Sequence, residues 1–260
     1  MPAVFVHGNP ETAAIWDLLI PALDRKDVLT LSPPGFGAPL PSGFNGTRLA
    51  YLDWLTKALE EIGEPVDLVG HDWGGGHVAG LALTRPDLLR SWAIDVAGIL
   101  HPDYQWHDMA QVWQTPGAGE EAVADMIASP VADRIAMFVA AGMTAAIAAR
   151  VVASFNQDMA HCILALYRDA AQPALSALGA DLTSMRSRPG LVIIAENDDY
   201  VGTDAMHREV ASRAGAQVSV LQGVAPLTCV EHHTLHTDAC MHSIRTCTCT
   251  QVSALPGVTY

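Results

Sequence analysis

The sequence predicts one α/β domain, a mainly parallel sheet with helices on both faces and a helical block inserted partway along the chain. Three observations predict it. Short β-branched or apolar runs alternate with longer amphipathic stretches over the first hundred residues, the pattern of βαβ units. From about 101 to 185 no strand pattern is legible, and the segment is rich in Ala and Met. Then "GLVIIA" (190–195) returns as a buried strand.

The elements follow in order. Residues 3–6 read as a strand. Residues 11–23 carry Ile15, Leu18, Leu19 and Leu23 at helical spacing. Residues 28–31 are a second strand, followed by the loop "SPPGFGAPLPSGFNG". In the helix expected over 49–62, Leu52, Leu55, Leu59 and Ile62 share one face. Residues 66–69 are a third strand, 77–84 a helix stopped before Pro86, and 91–96 a fourth strand. The stretch 135–155 is apolar but interrupted by Gly142, Thr144 and Arg150, so it reads as a helical pair and not a membrane span. "VSVL" (218–221) closes the pattern. The expected layout is a core of 1–100 with 186–223, a helical cap over 101–185, and an atypical tail over 224–260.

Composition narrows the partners. Half of the 260 residues are apolar, ample for a packed core, and the formal net charge is −14. Nucleic acid and anionic membrane surfaces need a basic face, so neither is an expected partner. Met1 runs almost directly into the first strand with no legible secretory signal, and the expected compartment is the cytoplasm with reduced thiols. Cys162 is expected to be a buried lid residue.

The chemistry concentrates at "GHDWGG" (70–75), directly after the third strand. Gly70-His71-Asp72-Trp73-Gly74 fits a Gly-x-nucleophile-x-Gly turn, which lifts the central side chain above the sheet. The following helix points free N–H groups at the same spot and favours negative charge there. An ordinary helix N-cap is the competing account of Asp72. "HGNP" (7–10) follows the first strand, where the backbone N–H of Asn9 can pair with that of Trp73 as an oxyanion hole. "AENDDYVG" (195–202) supplies Asp198 and Asp199 as acids that can orient a histidine. His7 and His71 read as packed against the sheet.

These motifs resemble the α/β-hydrolases of the epoxide hydrolase and haloalkane dehalogenase group. "HGNPET", "PGFG" (34–37), "GHDWGG" and "VIIAENDDYVG" carry the resemblance, with "WQTPG" (113–117) and "LYRDA" (166–170) in the lid. It implies the α/β-hydrolase fold, Asp72 as nucleophile and Asp198 as charge partner of the base. A carboxylate nucleophile displaces a leaving group at saturated carbon, and water then hydrolyses the resulting ester. The implied partners are a small apolar epoxide or alkyl halide and water, with no cofactor and no metal.

Residues at the departing atom separate the two substrates. Tyr167 matches an epoxide-polarising lid tyrosine and Tyr104 is a candidate for the other, although the "QTPG" register places Met109 there. Trp73 and Asn9 match the halide-binding pair of some dehalogenases, and Trp106 and Trp113 keep that reading open. Asp95, at the end of the fourth strand, is a second candidate acid, and lid packing is the simplest account of the aromatics. Epoxide hydrolysis is the leading expectation and haloalkane dehalogenation the alternative.

The resemblance also exposes a gap. The family's base follows the last strand, where this chain carries Pro226, and a proline cannot act as a base. His232, His233 and His236 come later, outside any motif. Beyond Gly223 the composition turns to Thr, Cys and His with no amphipathic helix, so an out-of-frame or replaced tail is expected. Both ends read as trimmed, with the expected consequence of poor catalysis or a purely binding protein. Cys229, His232, His233, His236 and Cys240 have ligand-like gaps but no recognised zinc spacing.

Overall fold

The computed structural model describes residues 2–23 and 25–223. Pro226, the tail histidines and the four tail cysteines lie outside the described residues, as do the expectations that rest on them.

Six strands form one sheet: β1 (Ala3–Val6), β2 (Val28–Leu31), β3 (Val66–Gly70), β4 (Leu89–Ile94), β5 (Gly190–Ala195) and β6 (Gln217–Leu221). Their order is β2-β1-β3-β4-β5-β6, and every neighbouring pair is parallel. Side chains on successive strand residues leave by opposite faces. Val4, Val6, Leu68, Ile94, Val192 and Ile194 accordingly join one core cluster, while Ala3, Phe5, Val69, Ala93, Leu191 and Ile193 join another. Burial on both faces is why β1 and β5 read as continuous apolar runs.

The core helices begin with α1 (Leu19–Ala22), α2 (Arg48–Ile62) and α3 (Trp73–Thr84). Helices α4 (Asp108–Gln114), α5 (Ala118–Ala128), α6 (Val131–Ala140), α7 (Ala145–Val152), α8 (Gln157–Asp169) and α9 (Ala174–Leu178) follow β4, and α10 (Asp204–Ala214) joins β5 to β6. Thr47 starts α2 by accepting the Ala50 N–H at 3.3 Å. Tyr51, Leu55 and Leu59 of α2 and Val78, Leu81 and Ala82 of α3 cover the first sheet face. Trp16, Leu19, Phe138, Ile147 and Val151 cover the second. Each fully buried Leu or Ile contributes about 1.5–3 kcal/mol through the apolar surface it removes from water.

Three expectations need correction. The helix over 11–23 is instead a 3-10 turn (Ala13–Trp16) and the single turn of α1. Pro21 has no N–H to donate to residue 17, so a continuous helix cannot run through it. Helix α3 starts at Trp73 and not His77, because the glycines at 74–76 let the chain turn directly into it, and β4 runs two residues earlier than expected.

Between β4 and β5 the described chain is helix and turn only. Helices α4, α5 and α8 pack on one another. Arg48 fastens this block to the core: its Nε donates to Oδ2 of Asp169 at 2.9 Å, and its backbone N–H donates to the same oxygen at 2.9 Å. Among the described residues, no helix is long and apolar enough to cross a membrane.

Candidate functional site

A parallel sheet places all strand carboxyl ends on one edge, and ligands of such sheets bind there. The loops after β1, β3, β4 and β5 bring Gly8–Glu11, His71–Asp72, Asp95 and Asp198 to this edge.

Asp72 sits at φ 49 and ψ −128 with no side-chain cap to α3, so the N-cap account does not hold. Such a conformation costs a non-glycine residue roughly 1–3 kcal/mol and persists only where the surroundings enforce it. Close approach enforces it here. A Cβ on Gly74 would stand 2.1 Å from the carbonyl oxygen of Val6, and one on Gly8 would stand 2.0 Å from Oδ1 of Asp72. Hydrogen gives way at both positions, and the turn seats directly on the loop after β1.

The backbone N–H of Asn9 donates to Oδ1 of Asp72 at 2.9 Å, and the Trp73 backbone also hydrogen-bonds this carboxylate. Two backbone N–H groups therefore converge on this carboxylate, at the N-terminus of a three-turn helix. Burial, followed by the neighbouring Glu11 charge, raises the Asp72 carboxyl well above the usual carboxylate range. His71 and the two backbone donors pull the other way.

Three residues surround this pair: Glu11, which carried no expected role, and His71 and Asp95. Glu11 is 1% exposed; its Oε2 accepts the Gly8 N–H at 3.2 Å and its Oε1 lies 3.2 Å from Nε2 of His71. Nδ1 of His71 hydrogen-bonds Oδ2 of Asp95, and Oδ1 of Asp95 accepts the Asp72 N–H at 3.1 Å. His71 is buried as expected, but between two carboxylates. A sequence signal existed in the acid inside "HGNPET" and the acid ending β4, yet nothing local says that one imidazole joins them.

Asp198 accepts the Tyr200 N–H at 2.8 Å and lies in the field of Asp95 and His71; burial pushes its carboxyl up to about 6. It lines a cavity of about 720 Å³ with Tyr104, Val201, Met206 and His207, and Asp72 is not part of that lining. Asp199 is exposed on the same rim.

The aromatics predicted from the lid gather over Trp73. Trp106 stacks on Trp73 at 5.7 Å, and Tyr167 meets Trp73 edge-on at 5.5 Å and Trp113 at 4.7 Å. Most of their polar ends face away: Trp106 Nε1 donates to Ala170 O at 3.1 Å, and the Tyr104 hydroxyl donates to Tyr200 O at 2.8 Å. Tyr167 differs. Burial and the nearby Asp72 charge hold its hydroxyl protonated, while a hydrogen bond from the Trp73 side chain opposes them. His107 packs its ring against Trp106, Trp113, Tyr167 and Tyr200. Met109 is exposed, and Cys162 is buried as a free thiol. The Asn9 side-chain amide is buried with no hydrogen-bond partner among the described residues. Among the described residues, no group of three or more His, Cys, Asp or Glu is arranged to hold a metal ion.

The alpha/beta hydrolase family model matches residues 3–239. Two curated relatives match shorter stretches. One is the (E)-2-((N-methylformamido)methylene)succinate hydrolase of Acinetobacter baylyi, 28% identical over 36% of this chain and 36% of the relative. The other is the cis-3-alkyl-4-alkyloxetan-2-one decarboxylase of Shewanella oneidensis, 33% identical over 39% of this chain and 34% of the relative. The matches thus span about a third of the length of each. Among solved structures, a haloalkane dehalogenase loop variant from Bradyrhizobium elkanii superposes with a TM-score of 0.71. It is 18% identical, with 98% of this chain and 91% of that chain covered. A hydrolase from Oleispira antarctica superposes with a TM-score of 0.68 at 14% identity, covering 94% and 90%. At these identities the structural likeness is one of fold.

Proposed function

The chain belongs to the alpha/beta hydrolase family, and we propose that within it Asp72 works as a nucleophile that opens an epoxide through a covalent ester. The observation that carries this reading is the Asp72 carboxylate itself. It is raised on an uncapped, positive-φ turn with Oδ1 held by the Asn9 N–H, which leaves Oδ2 to attack. In the first step Oδ2 bonds to an epoxide carbon, the ring C–O bond breaks, and the departing oxygen takes the Tyr167 hydroxyl proton. In the second, a base-activated water adds to the ester carbonyl, and negative charge collects on Oδ1 between the N–H groups of Asn9 and Trp73. Collapse restores the carboxylate and releases the diol, whose leaving oxygen takes the hydroxyl proton of the adduct, and the protonated base returns its proton to Tyr167. Asp198 is the proposed charge partner of the base, whose candidates His232, His233 and His236 lie outside the described residues. The helical block over 101–185 is the proposed cap, and its aromatic wall suits a small apolar substrate.

Epoxide stands ahead of halide because the Trp73 side chain is engaged with the Tyr167 hydroxyl, which polarises that hydroxyl as a donor to oxygen. Haloalkane dehalogenation is the second reading, favoured by the unpartnered Asn9 amide, a donor that suits a halide. A single turnover in heavy-oxygen water tests the mechanism. Label should enter the Asp72 carboxylate, and label confined to product rules the ester out. Ligand binding without any adduct on Asp72 would mark a non-catalytic binding protein.

A further inference from the structure

The contacts around Asp72 close on themselves. Asn9 N–H reaches Oδ1 of Asp72, and Asp72 N–H reaches Oδ1 of Asp95. Oδ2 of Asp95 meets Nδ1 of His71, and Nε2 of His71 faces Oε1 of Glu11. Oε2 of Glu11 takes the N–H of Gly8, the residue covalently joined to Asn9. The ring joins three loops that the sheet brings side by side, those after β1, β3 and β4. Trp16 packs edge-on against the His71 imidazole at 6.3 Å and fixes its plane.

We infer that Asp95 is a positioning residue for Asp72: its two oxygens hold the strained turn from behind, one directly and one through His71 and Glu11. This rests on the reading of Asp72 as nucleophile, and it assigns Asp95 a different task from Asp198. Both oxygens of Asp95 face the turn, whereas Asp198 accepts from its own loop and borders the cavity. A residue in a sparsely populated conformation relaxes unless its neighbours over-determine it. Removing the acceptor behind the Asp72 N–H lets the turn rotate, and the carboxylate loses its alignment on Asn9. A positioning role and a charge-partner role then predict opposite kinetic signatures. A misplaced nucleophile forms ester slowly, while a base without its acid hydrolyses ester slowly.

The test uses the full chain and the variants Asp95→Ala and Asp95→Asn, with styrene oxide and 1-bromobutane as probes. Rapid quench with intact-protein mass spectrometry reads ester formation and ester hydrolysis separately, and amide hydrogen exchange reads the N–H groups of Asn9 and Asp72. Asp95→Ala should slow ester formation at least tenfold and accelerate exchange at both amides. Asp95→Asn keeps an oxygen for the Asp72 N–H and should stay within about threefold of the parent. Ester formation at the parent rate in Asp95→Ala, or a defect of Asp95→Asn confined to ester hydrolysis, overturns the inference. Unchanged exchange in Asp95→Ala also overturns it. If the parent forms no ester with either probe, the nucleophile reading fails, while exchange still decides whether Asp95 holds the turn.

Discussion

The backbone N–H of Asn9 meets Oδ1 of Asp72 at 2.9 Å, so the oxygen that carries charge in a tetrahedral intermediate already rests on a donor. Preorganised donors of this kind act without reorganisation at the moment of reaction. Oδ1 and Oδ2 are thereby made unequal before any substrate arrives.

Replacing the proposed nucleophile separates reaction from fold. Asp72→Asn should abolish ester formation, a loss of at least about 10³-fold, because a neutral amide does not attack saturated carbon. It should also stabilise the fold by on the order of 1 kcal/mol at neutral and alkaline pH. The Asp72 carboxyl is raised in the folded state, so its ionised form costs stability as pH rises, and the gain should vanish below about pH 4. Urea denaturation at several pH values reads this.

Gly8→Ala introduces a Cβ where Asp72 Oδ1 lies 2.0 Å away. Backbone and carboxylate must part, so the Asn9 contact fails with the packing. A destabilisation of about 1–3 kcal/mol is expected, together with loss of ester formation. A crystal structure with Asp72 unmoved and an active protein would contradict this.

Tyr167→Phe discriminates between the substrates. An epoxide oxygen needs a proton as it leaves and a halide does not. Diol formation should fall by about 10²–10⁴-fold, while halide release from 1-bromobutane should change little. Equal losses for both probes would assign Tyr167 a packing role.

The first step should accelerate with rising pH, since only the ionised Asp72 attacks. Burial, then the Glu11 charge, raise this carboxyl, so the midpoint should lie well above the usual carboxylate range. Glu11→Gln removes that charge and should shift the midpoint to lower pH. A midpoint that stays fixed removes Glu11 from the electrostatics of Asp72.

Stability should decline on acidification. Burial lowers His7 and His207 to about 4 and His77 to about 3, from an ordinary 6.5. Between these values the unfolded chain binds more protons, so this stability is complete above pH 6.5 and is lost as pH falls toward 4 and below. Charging each buried imidazole costs about 3 kcal/mol at the low end. Asp72 and Asp198, both raised, act in the opposite direction over part of that range, two groups against three. Thermal melts should fall steadily between pH 7 and 4.5, and a flat profile would contradict the burial of these histidines.

Much of this site can be read along the chain. β1 and β5 are continuous apolar runs because parallel strands are buried on both faces, and Gly70, Asp72 and Gly74 are spaced for a turn that only small flanking residues permit. Those are local requirements, met within a few neighbours. The misread helix over 11–23 also has a local cause, since Pro21 breaks a periodicity that its flanking residues sustain. What the chain cannot display is which charge faces which. His71 could pack against the sheet or meet an acid, and two acids, Asp95 and Asp198, end successive strands of the sheet. Only the order β1-β3-β4 brings Glu11, His71 and Asp95 to one edge, 84 residues of chain folded into a single ring. Sheet order is set by how whole strands and helices bury their faces together, so the partners of Asp72 were decided by the tertiary structure.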